Sequence, residues 1–275
     1  MTDPDTAETL RVLVIQNAAA SGPGRLVEWL TGAGIDVAVM GGEQLLDRQD
    51  TDADADDLLD GLAGLVLLGG NFMPDADERA RWLPVERRLT EKAVALRVPV
   101  LGICLGGQLL ALCAGGGVTA DSGAMERGSC PVELLPAAVD DPLFGPLASQ
   151  GTLRMIQNHR DSITVLPPAA TLLATSAACT VQAFRVGECA WGLQFHPEAD
   201  AARIARWNPE SLTADGYHPA ALIAAGQADA AVNEAQARTL ISAFAAVVQD
   251  AAVQDAAVQD AAVQDAVVRG AGKVR

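Results

Sequence analysis

Residues 98–111 read VPVLGICLGGQLLA, an apolar run that changes character at Cys104. Val98 to Ile103 reads as a buried strand, and from about Leu105 the run continues as an apolar helix. A strand that passes straight into a helix must turn within one or two residues. Gly102, Gly106 and Gly107 surround the cysteine and supply the steric room for that turn. The turn places a thiol at the tip of a strand and at a helix N-terminus, where the dipole and free N–H groups favour a thiolate. A buried structural cysteine satisfies the same local pattern, so the role of Cys104 rests on the remainder of the chain.

Upstream, Leu10 to Gln16 is a short apolar strand, Arg25 to Thr31 begins a helix and Ile35 to Met40 is a second strand. Strand, helix, strand at this spacing starts a parallel α/β sheet. Leu62 to Leu68 is a third buried strand, ending in Gly69-Gly70-Asn71. Arg79 to Arg97 reads as a long amphipathic helix, with Pro84 near its start or at a bend. Beyond the Cys104 helix the chain becomes strand-dense: Val132 to Leu135, Thr152 to Gln157, Thr171 to Ser176, Thr180 to Arg185 and Ala190 to Phe195. Ala199 to Trp207 and Pro219 to Val248 read as helical. The pattern predicts an α/β fold with a mostly parallel open sheet flanked by helices and a mixed, strand-rich second half. Residues 1–9 read as a flexible N-terminus, 10–248 as one domain and 249–275 as a low-complexity tail. In that tail AAVQD recurs three times from Ala251 to Asp265. Five residues advance about 140° around a helix, so the valines share no face, and the tail reads as a frayed helix or a disordered extension.

Half of the 275 residues are hydrophobic, enough for a sizeable core. The net charge of −16 argues against non-specific nucleic-acid binding and disfavours anionic membrane surfaces. No apolar run reaches the ~18–20 residues of a membrane span, and MTDPDTAET lacks the pattern of a secretory signal. Five cysteines, odd in number and without CxxC spacing, fit a reduced cytoplasmic protein without a disulfide scaffold, zinc ribbon or metal. Gly22-Pro23-Gly24 lacks the GKS/T of a phosphate loop and reads as a helix start. The acidic run Asp47 to Asp60 lacks the Gly and terminal Glu of an EF-hand loop and reads as a solvated helix or loop.

Gly192 to Glu198 reads GLQFHPE, and His196 is one of three histidines. A carboxylate two residues beyond a strand-end histidine reaches its imidazole and fixes its orientation. A surface turn containing a histidine fits that pattern equally well, as a tight turn fits the glycine pair at Gly69-Gly70. Taken together, the three strand ends supply a nucleophile, backbone oxyanion donors and an oriented base.

At these residues the chain resembles the class I (triad) glutamine amidotransferases. LVLLGGN at Leu65 to Asn71, GICLGGQLLA at Gly102 to Ala111 and GLQFHPE at Gly192 to Glu198 match in kind, order and spacing. The resemblance runs from about Leu10 to Val248 and is nearest to stand-alone, GMP-synthase-like amidotransferase-domain proteins. It implies a flavodoxin-like fold and a Cys104–His196–Glu198 triad that hydrolyses the side-chain amide of glutamine. The backbone N–H groups of Gly70 and Leu105 are then the oxyanion donors, and Gln108 binds the amino-acid head of the substrate. Gly69 and His159 join Gln108 as expected substrate-binding residues, with His159 either contacting substrate or satisfying a hydrogen bond with Asp161. No cofactor is implied; a separate synthetase or acceptor subunit is the expected partner, and the oligomeric state is left open. Two positions depart from the family: Asn71 stands where Pro is frequent, and Asn158-His159-Arg160-Asp161 stands where Trp-His-Gly-Asp is frequent. Two other readings stay open, a γ-glutamyl amide or peptide hydrolase on the same fold and a non-catalytic binding homologue.

Overall fold

The structure is a computed structural model that describes residues 9–48 and 58–271. Most of the acidic run at 47–60 therefore lies outside the described residues, as does most of the 1–9 segment. The first half alternates strand and helix: β1 (Arg11–Gln16), α1 (Leu26–Gly32), β2 (Asp36–Gly41), β3 (Gly64–Leu67), α2 (Leu83–Ala95), β4 (Val100–Ile103) and α3 (Leu105–Cys113). The second half carries β5 (Gly117–Thr119), β6 (Glu126–Leu134), β7 (Thr152–His159), β8 (Ser162–Val165), β9 (Ala170–Thr175), β10 (Ala183–Val186) and β11 (Ala190–Leu193). Four helices follow: α4 (Ala201–Ile204), α5 (Pro209–Ala214), α6 (Pro219–Ala228) and α7 (Ala230–Ala271).

Nine strands form one sheet in the order β2-β1-β3-β4-β11-β10-β9-β6-β7, and β5 pairs with β8 apart from it. From β2 to β11 every pairing is parallel; from β11 to β7 every pairing is antiparallel. The central strands are apolar at successive positions because both faces are covered. Val12, Val14, Val66 and Ile103 pack with Leu26, Leu30, Ile241 and Phe244, on the face of α1 and α7. Leu13, Ile15, Leu65 and Val100 pack with Leu83, Leu89 and Leu109, on the face of α2 and α3.

Several boundaries differ from the sequence reading. The helix expected from Arg79 starts at Leu83, with Pro84 in its first turn, where a missing N–H costs nothing. The helix expected over Ala199–Trp207 is a single turn, α4, and α5 follows it. Pro219–Val248 is two helices, broken at Asp229. β6 begins at Glu126, six residues before the expected Val132. The short β5 and β8 were not anticipated. The AAVQD repeats continue α7 as far as Ala271; alanine and glutamine are good helix formers, so local propensity supports the helix there. Val248 is the last fully buried residue before the repeats. Among the described residues no helix is long and apolar enough to cross a membrane.

Candidate active site

Adjacent parallel strands bring three turns together. β4 lies between β3 and β11, with Leu67 opposite Gly102 and Leu193 opposite Ile103. The glycine pair, the cysteine and the His-Pro-Glu segment therefore leave the sheet side by side at its carboxyl edge, where open α/β sheets bind ligands.

Cys104 sits at φ +53° and ψ −107°, a region that few non-glycine residues adopt. Its N–H donates to the Leu193 carbonyl (2.7 Å), and its own carbonyl accepts from the Gln108 N–H (2.9 Å) to start α3. The flanking glycines have physical causes. A Cβ on Gly106 would lie 2.1 Å from the Leu67 carbonyl oxygen, and one on Gly107 would lie 2.6 Å from that of Leu193. Helix α3 therefore sits directly against the ends of β3 and β11, which holds the Leu105 N–H, free of any intrahelical acceptor, at the tip of the turn. Gly70 packs against Leu105 so closely that a Cβ there would meet Leu105 Cδ2 at 2.5 Å. Gly69 borders both Cys104 and His196, its missing Cβ position lying 3.2 Å from His196 Cε1 and 3.6 Å from Cys104 Cβ.

His196 is buried, and its N–H donates to the Ile156 carbonyl (2.8 Å), so the strand end is pinned to β7. Its Nδ1 and Glu198 Oε1 are 2.8 Å apart. Burial opposes charge on the imidazole, but the Glu198 carboxylate and the Cys104 thiol outweigh burial and raise His196 from 6.5 to about 10. Nε2 is buried and has no partner at hydrogen-bonding geometry among the described residues. The coupling of thiol and imidazole is thus a loose pairing, as in enzymes whose hydrogen bonds tighten when substrate arrives. Burial also pushes the Glu198 carboxyl up, but His196 and then Arg203 outweigh it and hold it below the usual carboxylate range.

Sequence reasoning missed the groups that hold Glu198. Arg203 Nη1 donates to Glu198 Oε1 (3.0 Å) and Nη2 to the Gly22 carbonyl (2.9 Å). Asp200 caps α4 by accepting from the Arg203 N–H (2.9 Å); that Asp-x-x-Arg spacing was the available sequence signal. Gly24, at φ +51°, closes on the Glu198 carbonyl so tightly that a Cβ would lie 2.1 Å from it. Gly22-Pro23-Gly24 is therefore a clamp on the His-Pro-Glu turn as well as a helix start. Asn17 was also missed. Its Nδ2 donates to the Leu68 carbonyl (3.1 Å) and to the buried Glu86 (2.9 Å), while its Oδ1 accepts from Trp82 Nε1 (2.7 Å). This strut holds the chain two residues before Gly70.

A cavity of about 260 Å³ opens over Cys104, bordered by Gly70, Asn71, Gln108, Arg127, His159 and Arg160 among others. Gln108 Nε2 donates to the Asp161 carbonyl (3.1 Å), so its amide lies in the cavity wall. His159 has both ring nitrogens engaged, Nδ1 with the Asp161 carbonyl (3.2 Å) and Nε2 with Glu126 (3.3 Å). The expected partner was Asp161, and the contact is to its backbone. Arg160 turns to Asp215 and Asp121. A larger groove, about 590 Å³, lies at the opposite edge of the sheet beside Leu10, Ala63 and Pro99, away from the three turns. Glu126, His159 and Cys179 bring potential metal-ligand atoms within 4.8 Å of one another. The Glu126 carboxylate there also accepts from Ser176 (2.9 Å) and Gln182 (2.5 Å), which marks a hydrogen-bonded core network. Burial raises Cys113 and Cys130 to about 12 and Cys179 to about 11, so these thiols are inert near neutral pH.

The comparisons with known proteins fit this geometry. The family model for glutamine amidotransferase class-I matches residues 34–205, which include all three turns. The glutamine-hydrolyzing GMP synthase subunit of Thermoplasma acidophilum is 36% identical over 149 residues, covering 54% of this chain and 69% of that protein. Gamma-glutamyl peptidase 3 of Arabidopsis thaliana is 31% identical over 144 residues, covering 51% of this chain and 56% of that protein. The crystal structure of a glutamine amidotransferase from Thermotoga maritima superposes with a TM-score of 0.73 at 26% identity, over 86% of this chain and 98% of that one. With the Cys104 turn, the glycine pair and the His-Pro-Glu segment at adjacent strand ends, this chain belongs to the class-I glutamine amidotransferase family.

Proposed function

We propose that the chain hydrolyses the side-chain amide of glutamine to glutamate and ammonia, with Cys104 as nucleophile. The observation that carries the reading is the convergence of Cys104 with the His196–Glu198 pair around Gly69, at the ends of adjacent parallel strands. Cys104 Sγ attacks the amide carbon, and the backbone N–H groups of Gly70 and Leu105 receive the oxyanion, an interaction worth roughly 3–4 kcal/mol per donor. His196 gives a proton to the leaving nitrogen as the C–N bond breaks. The same imidazole then takes a proton from water, whose oxygen bonds to the thioester carbon while the C–S bond breaks. Glu198 orients the imidazole and stabilises its charge. Gln108 and Gly69 border the amino-acid head of the substrate, and His159 shapes the wall through its ring. Both its nitrogens are already engaged, so it offers no free polar atom.

The folded unit that carries this chemistry spans 10–248. A separate synthetase subunit is the proposed recipient of the ammonia, in line with the relative that is named as a subunit. The free cysteines suit the reducing cytoplasm. The reading is tested by glutamate and ammonia release from glutamine. Wild type is expected to produce both in equal amounts and Cys104→Ala neither; release that survives Cys104→Ala refutes it.

A further inference from the structure

Beside the cavity over the thiol lies a second one of about 80 Å³, bordered by Ser21, Asn71, Asn158, His196, Arg203 and Trp207 among others. Asn71 and Asn158 border both cavities. Cys104 faces only the larger and His196 only the smaller. The proposed chemistry gives this division a meaning. The acyl portion of the substrate bonds to sulfur, whereas the departing nitrogen must come within hydrogen-bonding reach of the imidazole. The smaller cavity is thus on the leaving-group side.

Its size exceeds what ammonia needs. A water-sized molecule requires only about 10–15 Å³ of such space. Two of the lining residues are held in place. Arg203 is held by Glu198 and by the Gly22 carbonyl. Trp207 packs against the buried cluster of Ile156, Ala199 and Ile204. Ile156, Ala199 and Trp207 line the cavity together with Ser21 and the two asparagines, so its wall is part apolar and part polar.

We propose that this cavity is a leaving-group subsite for a short primary amine, so that γ-glutamyl amides of small alkylamines are substrates alongside glutamine. The proposal rests on the glutamine-hydrolysis reading. The chemistry stays balanced: the C–S bond forms, the C–N bond breaks, and the His196 proton leaves on the free alkylamine. Water then releases glutamate.

The test is glutamate release from glutamine, γ-glutamylmethylamide, γ-glutamylethylamide and a γ-glutamylanilide, for wild type, Trp207→Phe and Trp207→Ala, with the fold of each variant checked by thermal unfolding. Wild type is expected to turn over the methyl and ethyl amides with kcat/KM within about tenfold of glutamine and the anilide at least about a hundredfold more slowly, the range that pocket shape commands. Widening the cavity at Trp207 is expected to raise the anilide-to-glutamine ratio by about tenfold or more, and Trp207→Phe by less. Hydrolysis of glutamine with no detectable turnover of either alkylamide overturns the subsite and leaves the glutaminase reading standing. A ratio unmoved by both folded variants also overturns it. Glutamate from no substrate at all removes the parent reading and the proposal together.

Discussion

Glu86 is fully buried on the first turn of α2, and one of its two carboxyl oxygens has no hydrogen-bond partner among the described residues. The other accepts from Asn17 at 2.9 Å. Burial pushes the carboxyl from 4.5 up to about 7, against the pull of the Asn17 hydrogen bond and the Arg87 charge. In the unfolded chain the group ionises near its ordinary value. Below pH 4.5 both states hold the proton and the group contributes nothing. Between 4.5 and about 7 the folded state keeps a proton that the unfolded state has lost, so stability falls as pH rises. Above about 7 both states are ionised and the penalty is constant. At ~1.4 kcal/mol per pH unit, that interval corresponds to roughly 3 kcal/mol. Glu86→Gln removes the titration while keeping the acceptor for Asn17. Its amide nitrogen takes the unpartnered position, a pH-independent cost of about 1–3 kcal/mol. Urea unfolding of wild type and variant from about pH 5 to 8 is the assay. The stability difference is expected to move in favour of the variant by about 2–3 kcal/mol across that range, whatever its starting value. A difference that stays flat with pH, or moves in favour of wild type, refutes the buried protonated carboxyl.

Gly106→Ala is expected to force α3 away from β3, because its Cβ would meet the Leu67 carbonyl at 2.1 Å. A loss of about 1–3 kcal/mol in unfolding free energy, or failure to fold, is the expected result, and an unchanged Tm contradicts the packing. Glu198→Gln removes the charge that helps hold His196 protonated toward pH 10. It is expected to lower kcat by ~10²–10⁴-fold and to move the alkaline limb of the kcat profile to lower pH, where the imidazole now loses its proton. A profile of unchanged shape argues that Glu198 acts only by packing.

The parts of the site that were legible in the sequence are those that a strand end announces locally. Cys104, Gly69-Gly70 and His196 each end a buried apolar run, and the glycines around Cys104 signalled a turn too tight for side chains. The parallel order that sets β4 between β3 and β11 is what makes those three ends neighbours. Supporting groups were hidden because their partners are distant in the chain. Asn17 reaches Glu86 and Leu68, and Arg203 reaches Gly22. No local pattern marks such pairs. Boundaries failed where a weak local preference met a strong constraint: Pro84 fixed the start of α2, and pairing made strands of Gly117–Thr119 and Ser162–Val165, which at three and four residues are too short for an alternating pattern to announce them. The departure at Arg160 is explained by its ion pairs to Asp215 and Asp121, which turn the guanidinium toward carboxylates.

The central claim is that Cys104 is a nucleophile facing a glutamine-shaped cavity. Exposure of the protein to a diazo-ketone analogue of glutamine, followed by intact-mass analysis and peptide mapping, tests it directly. One adduct on wild type, mapped to Cys104 and absent from Cys104→Ala, is the predicted result. No adduct, or an adduct on one of the other four cysteines with Cys104 untouched, contradicts it.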